Sequence, residues 1–176
     1  MNEIYCDWAA TALFDTELLE KAYKTSIEFA GNPSSVHQKG IDAKYALQNA
    51  RKRCATSLGV KEENIIFTSG GTESNHIAIL SLLNRPVKGS ILVSSLEHPA
   101  IREQAEMMKK CGWQVYKIPS DENGIITAES VIKAMKDDTA LVSVMAVNNE
   151  TGSIMPIYEI SDALANHCEG KRRPKF

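Results

Sequence analysis

Residues 65–75 read Ile65-Ile66-Phe67-Thr68-Ser69-Gly70-Gly71-Thr72-Glu73-Ser74-Asn75. Apolar residues typical of a β-strand run into a Ser-Gly-Gly-Thr turn, and a helical pattern begins directly after it. Such a unit points backbone N–H groups and a hydroxyl past the end of the strand, where a phosphate binds favourably. The lysine of the P-loop pattern is missing, because Thr72-Glu73 follows the glycines, so a ligand with a single phosphate fits better than a nucleoside triphosphate. The alternative that this stretch leaves open is an N-capped helix without a ligand.

Strand and helix patterns alternate outward from this stretch. The predicted helices cover residues 16–30, 40–58, 72–83, 99–112, 127–137 and 156–168, and the predicted strands cover 64–68, 90–95, 113–118 and 140–147. The last strand is apolar along its whole length, as expected for a strand covered on both faces. Repeated strand–helix–strand units predict an α/β fold with a mostly parallel sheet and helices on both faces. The predicted buried side of helix 40–58 consists of Ile41, Ala43, Leu47, Ala50, Cys54 and Leu58.

Composition excludes several classes of function. Hydrophobic residues make up 43% and charged residues 24% of the 176-residue chain, values typical of a soluble globular domain. The net charge of -2 gives no reason to expect direct binding to nucleic acid or to an anionic membrane. We expect the basic run 171–175 to be a solvated loop. Four widely spaced cysteines and the lack of a signal peptide or long apolar run predict a cytoplasmic, reduced protein without a membrane span or metal site.

Three of the predicted strands end in conspicuously polar segments. These are Thr68 to Thr72, Ser94 to Pro99, and Asn148 to Gly152. Ligands of parallel α/β sheets bind beyond the carboxyl ends of the strands, so the three segments are expected to lie along one edge and to form one site.

These segments resemble the cysteine desulfurases, which are class V enzymes that use pyridoxal phosphate. The motifs that carry the resemblance are Thr68-Ser69-Gly70-Gly71-Thr72-Glu73-Ser74-Asn75, Glu97-His98-Pro99-Ala100 and Val147-Asn148-Asn149-Glu150-Thr151-Gly152, and earlier Tyr5-Cys6-Asp7-Trp8-Ala9-Ala10-Thr11 and Gly31-Asn32-Pro33-Ser34-Ser35-Val36-His37. Their order and wording are most similar to the NifS/IscS-like group. The resemblance implies the N-terminal part of the large domain of a fold-type I pyridoxal phosphate-dependent transferase. On that basis residues 1–15 are expected to form an N-terminal segment and residues 16–176 a partial large domain.

The resemblance also implies the roles of four site residues. Gly71 and Thr72 are expected to hold the cofactor phosphate, as the helix N-terminus and the hydroxyl favour. His98 is expected to stack on the pyridine ring and to act as a candidate acid or base, for which a flat imidazole that titrates near neutrality is suited. Asn149 is expected to donate a hydrogen bond to the phenolic oxygen of the ring. The alternatives are a surface or helix-capping histidine and a plain asparagine-rich turn.

Other polar residues receive weaker assignments. Asn148 and Glu150 are interpreted as structural. The loop with Asn32, Ser34, Ser35 and His37 is placed by resemblance near the entrance of the site, with capping of the next helix as the alternative for His37. The segment Ala9-Ala10-Thr11 is placed, also by resemblance, beside the substrate carboxylate.

The implied reaction is removal of sulfur from L-cysteine, which gives L-alanine and an enzyme persulfide for iron–sulfur cluster assembly or tRNA thiolation. Such enzymes are homodimers that hand sulfur to an acceptor protein. The Schiff-base lysine, the aspartate at the pyridine nitrogen and the sulfur-carrying cysteine of the family have no match in residues 1–176. The chain is therefore expected to correspond to the N-terminal half of a desulfurase and to be inactive alone, whether as a truncated product, one part of a split protein or an engineered fragment. Two alternatives stay open: a non-catalytic remnant that acts as a binding module, and a sister class V enzyme such as a selenocysteine lyase or aminotransferase.

Overall fold

The computed structural model describes residues 4–176, which contain helices and parallel strands in alternation after residue 68. The helices are α1 (Thr16–Glu28), α2 (Gln38–Leu58), α3 (Gly71–Leu80), α4 (Pro99–Lys110), α5 (Ala128–Ala134) and α6 (Ile157–His167), and the strands are β1 (Ser90–Ser94), β2 (Gln114–Ile118) and β3 (Thr139–Ser143). Short 3-10 helices cover Glu62–Asn64 and Ser81–Asn84. The contacts divide the chain into two units, Met1–Phe67 and Thr68–Phe176. The predicted boundary after residue 15 stays a prediction.

The N-terminal unit is built on two capped helices. Asp15 caps α1, because its carboxylate accepts the N–H of Leu18 at 3.0 Å. His37 caps α2, since its Nδ1 accepts the N–H of Gly40 at 3.3 Å, which confirms the capping interpretation of this residue. Gly59 ends α2 in the left-handed conformation at φ 65°, where glycine avoids the steric strain of a side chain.

The apolar faces of α1 and α2 are largely exposed. No residue of α1 is buried, and Tyr23 at 67% exposure is typical of its apolar side chains. The predicted buried side of α2 is wrong except at Ala43, because Ile41 is 50% and Leu58 is 69% exposed. An amphipathic face becomes buried only against a complementary surface, and the described part of the N-terminal unit does not itself supply one.

The C-terminal unit confirms the predicted parallel sheet. Its strand order is β2-β1-β3, with β1 parallel to both neighbours. Ser90 pairs with Thr139 but Ile91 pairs with Leu141, so Ala140 is an extra residue in β3. This bulge explains why Ala140 and Leu141 both face the same core cluster.

Helices cover both faces of this sheet, as predicted. On one face, Ile91 and Val93 of β1 pack into a cluster with residues of α3 and α4, such as Ile79 and Met108. On the other face, Leu92 packs with Val131 of α5 and with Ile160 and Leu164 of α6. The alternation along β1 is the period of two expected for a strand covered on both sides. No helix within residues 4–176 combines the length and apolarity needed to cross a bilayer.

Two predicted strands differ in the structure. The predicted strand 64–68 does not form: Asn64 ends a 3-10 helix, and Ile66 is 68% exposed, since no strand within residues 4–176 lies beside this segment to form a ladder. β3 ends at Ser143 rather than at residue 147, because its partner β1 ends at Ser94. Beyond that point Val147 forms an antiparallel bridge with Ile154 instead.

The basic run 171–175 exposes its four charged side chains, as expected for a solvated loop, but its last lysine also pairs with the sheet. Lys175 bridges Leu141 in parallel orientation, with Val142 N–H donating to the Lys175 carbonyl at 2.8 Å and Lys175 N–H donating to Ala140 at 3.0 Å. Pro174 is buried. Backbone pairing along the free side of β3 therefore fixes the end of this run.

Candidate functional site

The turn before α3 is organised by its own side chains. The hydroxyls of Thr68 and Ser74 are 2.8 Å apart, and Ser74 N–H donates to the Gly70 carbonyl at 3.2 Å. Ser69 N–H donates to Glu73 Oε2 at 2.6 Å. This backbone bond and a further one from the Ser69 side chain lower the pKa of Glu73, so its carboxylate stays ionised at the positive end of the helix.

The first turn of α3 keeps its backbone donors free. No side chain caps this helix at Gly70, and within residues 4–176 no acceptor takes the N–H groups of Gly71, Thr72 and Glu73 or the Thr72 hydroxyl. A Cβ atom added to Gly70 or Gly71 meets nothing within 4 Å, so the space beside the turn is open. Free N–H groups, a free hydroxyl and open space at a helix N-terminus suit a phosphate group.

His98 links the end of β1 to the start of α4. Its Nδ1 accepts the N–H of Ala100 at 3.1 Å, which makes it the N-cap of α4, and Pro99 occupies the first helical position. Because Nδ1 accepts a hydrogen bond, we place the proton of the neutral imidazole on Nε2. Nε2 has no hydrogen-bond partner in the described part of the chain. The imidazole is exposed. The capping alternative for His98 is thus true of one nitrogen, while the other and the ring faces stay available to a ligand.

Asn149 lies in the turn that follows β3, and its exposed side chain makes no hydrogen bond to another described residue. Its neighbour Asn148 is buried and holds the turn. Asn148 Oδ1 accepts the N–H groups of Glu150 and Thr151, both at 2.9 Å, and its Nδ2 donates to the Leu96 carbonyl at 3.4 Å. The interpretation of Asn148 as structural agrees with these bonds.

Glu97, for which the sequence motifs predict no role, is a buried carboxyl at the same edge. Glu97 is 8% exposed, and Ser94 Oγ donates to its Oε1 at 3.0 Å. Burial raises the pKa of Glu97, and the Ser94 hydroxyl, the Met145 N–H, the Ser143 hydroxyl and the neighbouring His98 offset this increase only in part. A buried acid is rare enough to require an explanation. The only sequence signal for Glu97 was its place beside His98 in one of the motifs, and that signal does not indicate burial.

The elements that carry these residues meet around one cavity of about 520 Å³. It is lined by Asn75 from α3, Ile101 from α4, and Val144 and Ala146 after β3, together with further residues that are mostly apolar. Gly71, Thr72, His98 and Asn149 do not belong to this lining. The structure thus places the supporting elements together, whereas the four predicted site residues are exposed.

The two N-terminal segments predicted to lie near the site form local turns. Asn32 Oδ1 accepts the N–H of Ser34 at 2.9 Å, so this loop is a local turn around an asparagine. Ala10 N–H and Thr11 N–H both donate to the Asp7 carbonyl at 3.2 Å. These segments belong to the N-terminal unit, and their assignment to the entrance and to the substrate carboxylate stays a prediction.

Residues 4–169 match the sequence profile of the family described as aminotransferase class-V. Because this match covers most of the chain, the protein belongs to the class V aminotransferase family.

Its relatives include cysteine desulfurases. The chain is 40% identical to "Cysteine desulfurase IscS" of Dictyoglomus turgidum over 162 residues, which cover 91% of this chain and 41% of that protein. A solved structure titled "NIFS-LIKE PROTEIN" superposes with a TM-score of 0.83 at 32% identity, over 93% of this chain and 45% of that one. A second, "SspA in complex with cysteine", gives a TM-score of 0.81 at 30% identity, over 91% and 47% of the two chains.

These comparisons confirm the predicted family and the α/β fold. They also show that the chain spans less than half the length of these relatives. The roles of Gly71, Thr72, His98 and Asn149 stay predictions that the geometry is compatible with.

Proposed function

We propose that this chain is the cofactor-binding, N-terminal part of a pyridoxal phosphate-dependent cysteine desulfurase. The observation that carries the proposal is the set of unpaired donors in the first turn of α3, where the resemblance implies a ligand with one phosphate. The similarity to proteins named cysteine desulfurase supports the reaction, the removal of sulfur from L-cysteine to give L-alanine and a persulfide.

The residues present fit pyridoxal phosphate. The N–H groups of Gly71, Thr72 and Glu73 and the Thr72 hydroxyl would hold the phosphate. His98 would lie on the ring, and Asn149 Nδ2 would donate to its phenolic oxygen. When bound, the cofactor supplies an electron sink for the bonds of the substrate Cα.

The chain's own part in the chemistry is binding and proton management. The Ala100 N–H holds His98 Nδ1 and thereby fixes the ring orientation, so Nε2 is the nitrogen that would carry or accept a proton near the substrate. No residue of the chain matches the family lysine that binds the cofactor covalently or the cysteine that receives the sulfur. We therefore propose that residues 1–176 bind the cofactor without turnover when they act alone.

Several finer properties are proposed with this function. The apolar side chains exposed on α1 and α2 support a homodimer in the intact protein, because such faces are normally covered. Four cysteines without disulfide partners support a cytoplasmic location. A sulfur-acceptor protein, either a scaffold for iron–sulfur cluster assembly or a tRNA-thiolation enzyme, is the proposed partner.

The experiment that tests the reaction joins residues 1–176 to the remainder of the Dictyoglomus turgidum relative and measures alanine formed from L-cysteine. His98→Asn is the informative variant, since asparagine still caps α4 but has no ring. We expect alanine production by the chimaera, a strong loss in His98→Asn, and no loss in the exposed control His167→Ala.

Three results would contradict the proposal. Steady alanine formation by residues 1–176 alone would show that they carry their own nucleophile and lysine. Amino-group transfer to a 2-oxo acid without sulfur release, in the chimaera, would favour the sister aminotransferase instead. Cofactor binding without any contribution of His98 would favour a non-catalytic binding module.

A further inference from the structure

Glu97 has an unusual environment for a residue next to the candidate acid or base. Its carboxyl is buried at the carboxyl ends of two neighbouring parallel strands. Ser94 is the last residue of β1 and Ser143 is the last residue of β3, and both hydroxyls face the carboxyl, as does the N–H of Met145. One side chain therefore interacts with both strands at the level where their ladder stops.

A second buried side chain connects the same two segments in the opposite direction. Asn148, which follows β3, donates to the carbonyl of Leu96, which follows β1. The turn after β1 and the turn after β3 are thus joined by Glu97 from one side and by Asn148 from the other. His98 directly follows Glu97, and Asn149 directly follows Asn148.

We propose that Glu97 is a positioning residue: its buried carboxyl joins the end of β1 to the end of β3 and so fixes where the His98 ring lies relative to Asn149. His98 and Asn149 are on different turns, and the ladder between β1 and β3 ends before either is reached. The paired turns hold their spacing by these side-chain contacts rather than by the sheet. The inference rests on the proposed function, because that function names the ligand that His98 and Asn149 would contact. Its first test uses no ligand.

A carboxyl suits this position for a chemical reason. Donors from the end of β1 and from the end of β3 and the residues after it face the side chain, and a carboxylate accepts at both oxygens, whereas an amide accepts at one. The variant Glu97→Gln keeps the size of the side chain and an oxygen that accepts from Ser94. Its NH2 group, however, is a donor and cannot accept from the remaining donors. Glu97→Ala removes every contact and leaves a space.

The first test measures amide hydrogen exchange in the ligand-free, full 176-residue chain. In Glu97→Ala, we expect faster exchange, by about tenfold, at the amide of Met145, which faces the carboxyl, and at those of Glu150 and Thr151, which donate to Asn148 in the turn that Glu97 holds; loss of one hydrogen bond changes an opening equilibrium by about this factor. Amides in the β1–β2 ladder should keep their rates. The control is Glu103→Gln on α4, whose side chain is 70% exposed and which should leave every rate unchanged.

Glu97→Gln keeps the test decisive if the alanine variant does not fold. It should accelerate the same amides to a smaller extent, about threefold or more, with the ladder unaffected. Unchanged exchange at Met145, Glu150 and Thr151 in Glu97→Gln would overturn the proposal. Uniform acceleration across the whole sheet would overturn it too, because Glu97 would then only stabilise the fold.

The second test is a double-mutant cycle on the affinity for pyridoxal phosphate. If Glu97 acts through His98, Glu97→Gln weakens binding in the wild-type background and has almost no effect when His98→Asn is already present. Equal losses in both backgrounds would show that Glu97 does not act through His98. If the unaltered chain does not bind the cofactor, the proposed function fails and the exchange experiment alone decides the role of Glu97.

Discussion

Removal of the Thr72 hydroxyl is the most discriminating change at the candidate phosphate turn. In the described residues this hydroxyl has no hydrogen-bond partner and the side chain is exposed, so Thr72→Ala should leave folding stability nearly unchanged. In the complex the same hydroxyl would donate to an ionised phosphate. Loss of such a charge-assisted hydrogen bond costs about 1.5–3 kcal/mol, which corresponds to roughly a 10- to 150-fold weaker affinity.

The assay compares equilibrium binding of pyridoxal phosphate and of pyridoxal. Pyridoxal lacks the phosphate, so its affinity should be the same for Thr72→Ala and for the unaltered chain. Thr56→Ala is the matched control, because Thr56 is also exposed on a helix and its hydroxyl donates only to the Lys52 carbonyl of that helix, at 2.9 Å. The reasoning is refuted if Thr72→Ala weakens both ligands equally, or if it weakens neither.

Three further predictions concern stability and assembly. Burial raises the pKa of Glu97, so the folded chain binds the carboxyl proton more tightly than the unfolded chain does. The unfolding free energy of the wild type relative to Glu97→Gln should therefore fall as pH rises from the ordinary carboxyl pKa through the raised value. Urea unfolding between about pH 4 and pH 8 checks this, and a difference independent of pH would contradict it. Leu164→Ala on α6 should cost about 2–5 kcal/mol of unfolding free energy, since Leu164 is fully buried, whereas Tyr158→Ala on the same helix, at 88% exposure, should change it by less than about 0.5 kcal/mol. The chain should self-associate in light scattering through the exposed apolar side chains of α1, and Leu18→Lys combined with Tyr23→Lys should reduce the apparent mass; a monodisperse monomer before substitution would refute this.

Elements with a local signature were predictable from the sequence. Helix starts at Asp15 and Pro99 and the stop at Gly59 follow from capping chemistry that operates within one turn. The parallel sheet followed from the alternation of strand and helix patterns, and its two-sided burial from the consecutive apolar residues 140–142 in β3.

The differences arise where structure depends on distant partners. Residues 65–68 have the composition of a strand, but a strand also requires a neighbour, and the described residues do not provide it. Leu58 has helical spacing toward a core and is nonetheless exposed, for the same reason. The pairing of Lys175 with β3 could not be predicted, because it is formed by backbone groups and does not depend on the basic side chains of the run.

The candidate site was predictable as a set of motifs but not as a structure. The glycines and Thr72 predict an anion-binding turn because of their chemistry. The separate motifs around His98 and Asn149 carry the resemblance that indicates which ligand to expect. That Glu97 is buried, and that Asn148 rather than Asn149 holds the second turn, depends on the register of β1 against β3. A sequence pattern does not record which of two adjacent polar residues turns inward.

A titration of the isotope-labelled 176-residue chain with pyridoxal phosphate, followed by amide and side-chain NMR shifts, tests the central claim most directly. The account predicts saturable shifts at the amides of Gly71, Thr72 and Glu73, at the His98 ring and at the Asn149 side chain. Titration with inorganic phosphate should move the first group alone, because phosphate has no ring for His98 or Asn149 to contact. Shifts confined to exposed lysines, with the turn before α3 unaffected, would contradict the claim that these residues form the cofactor site.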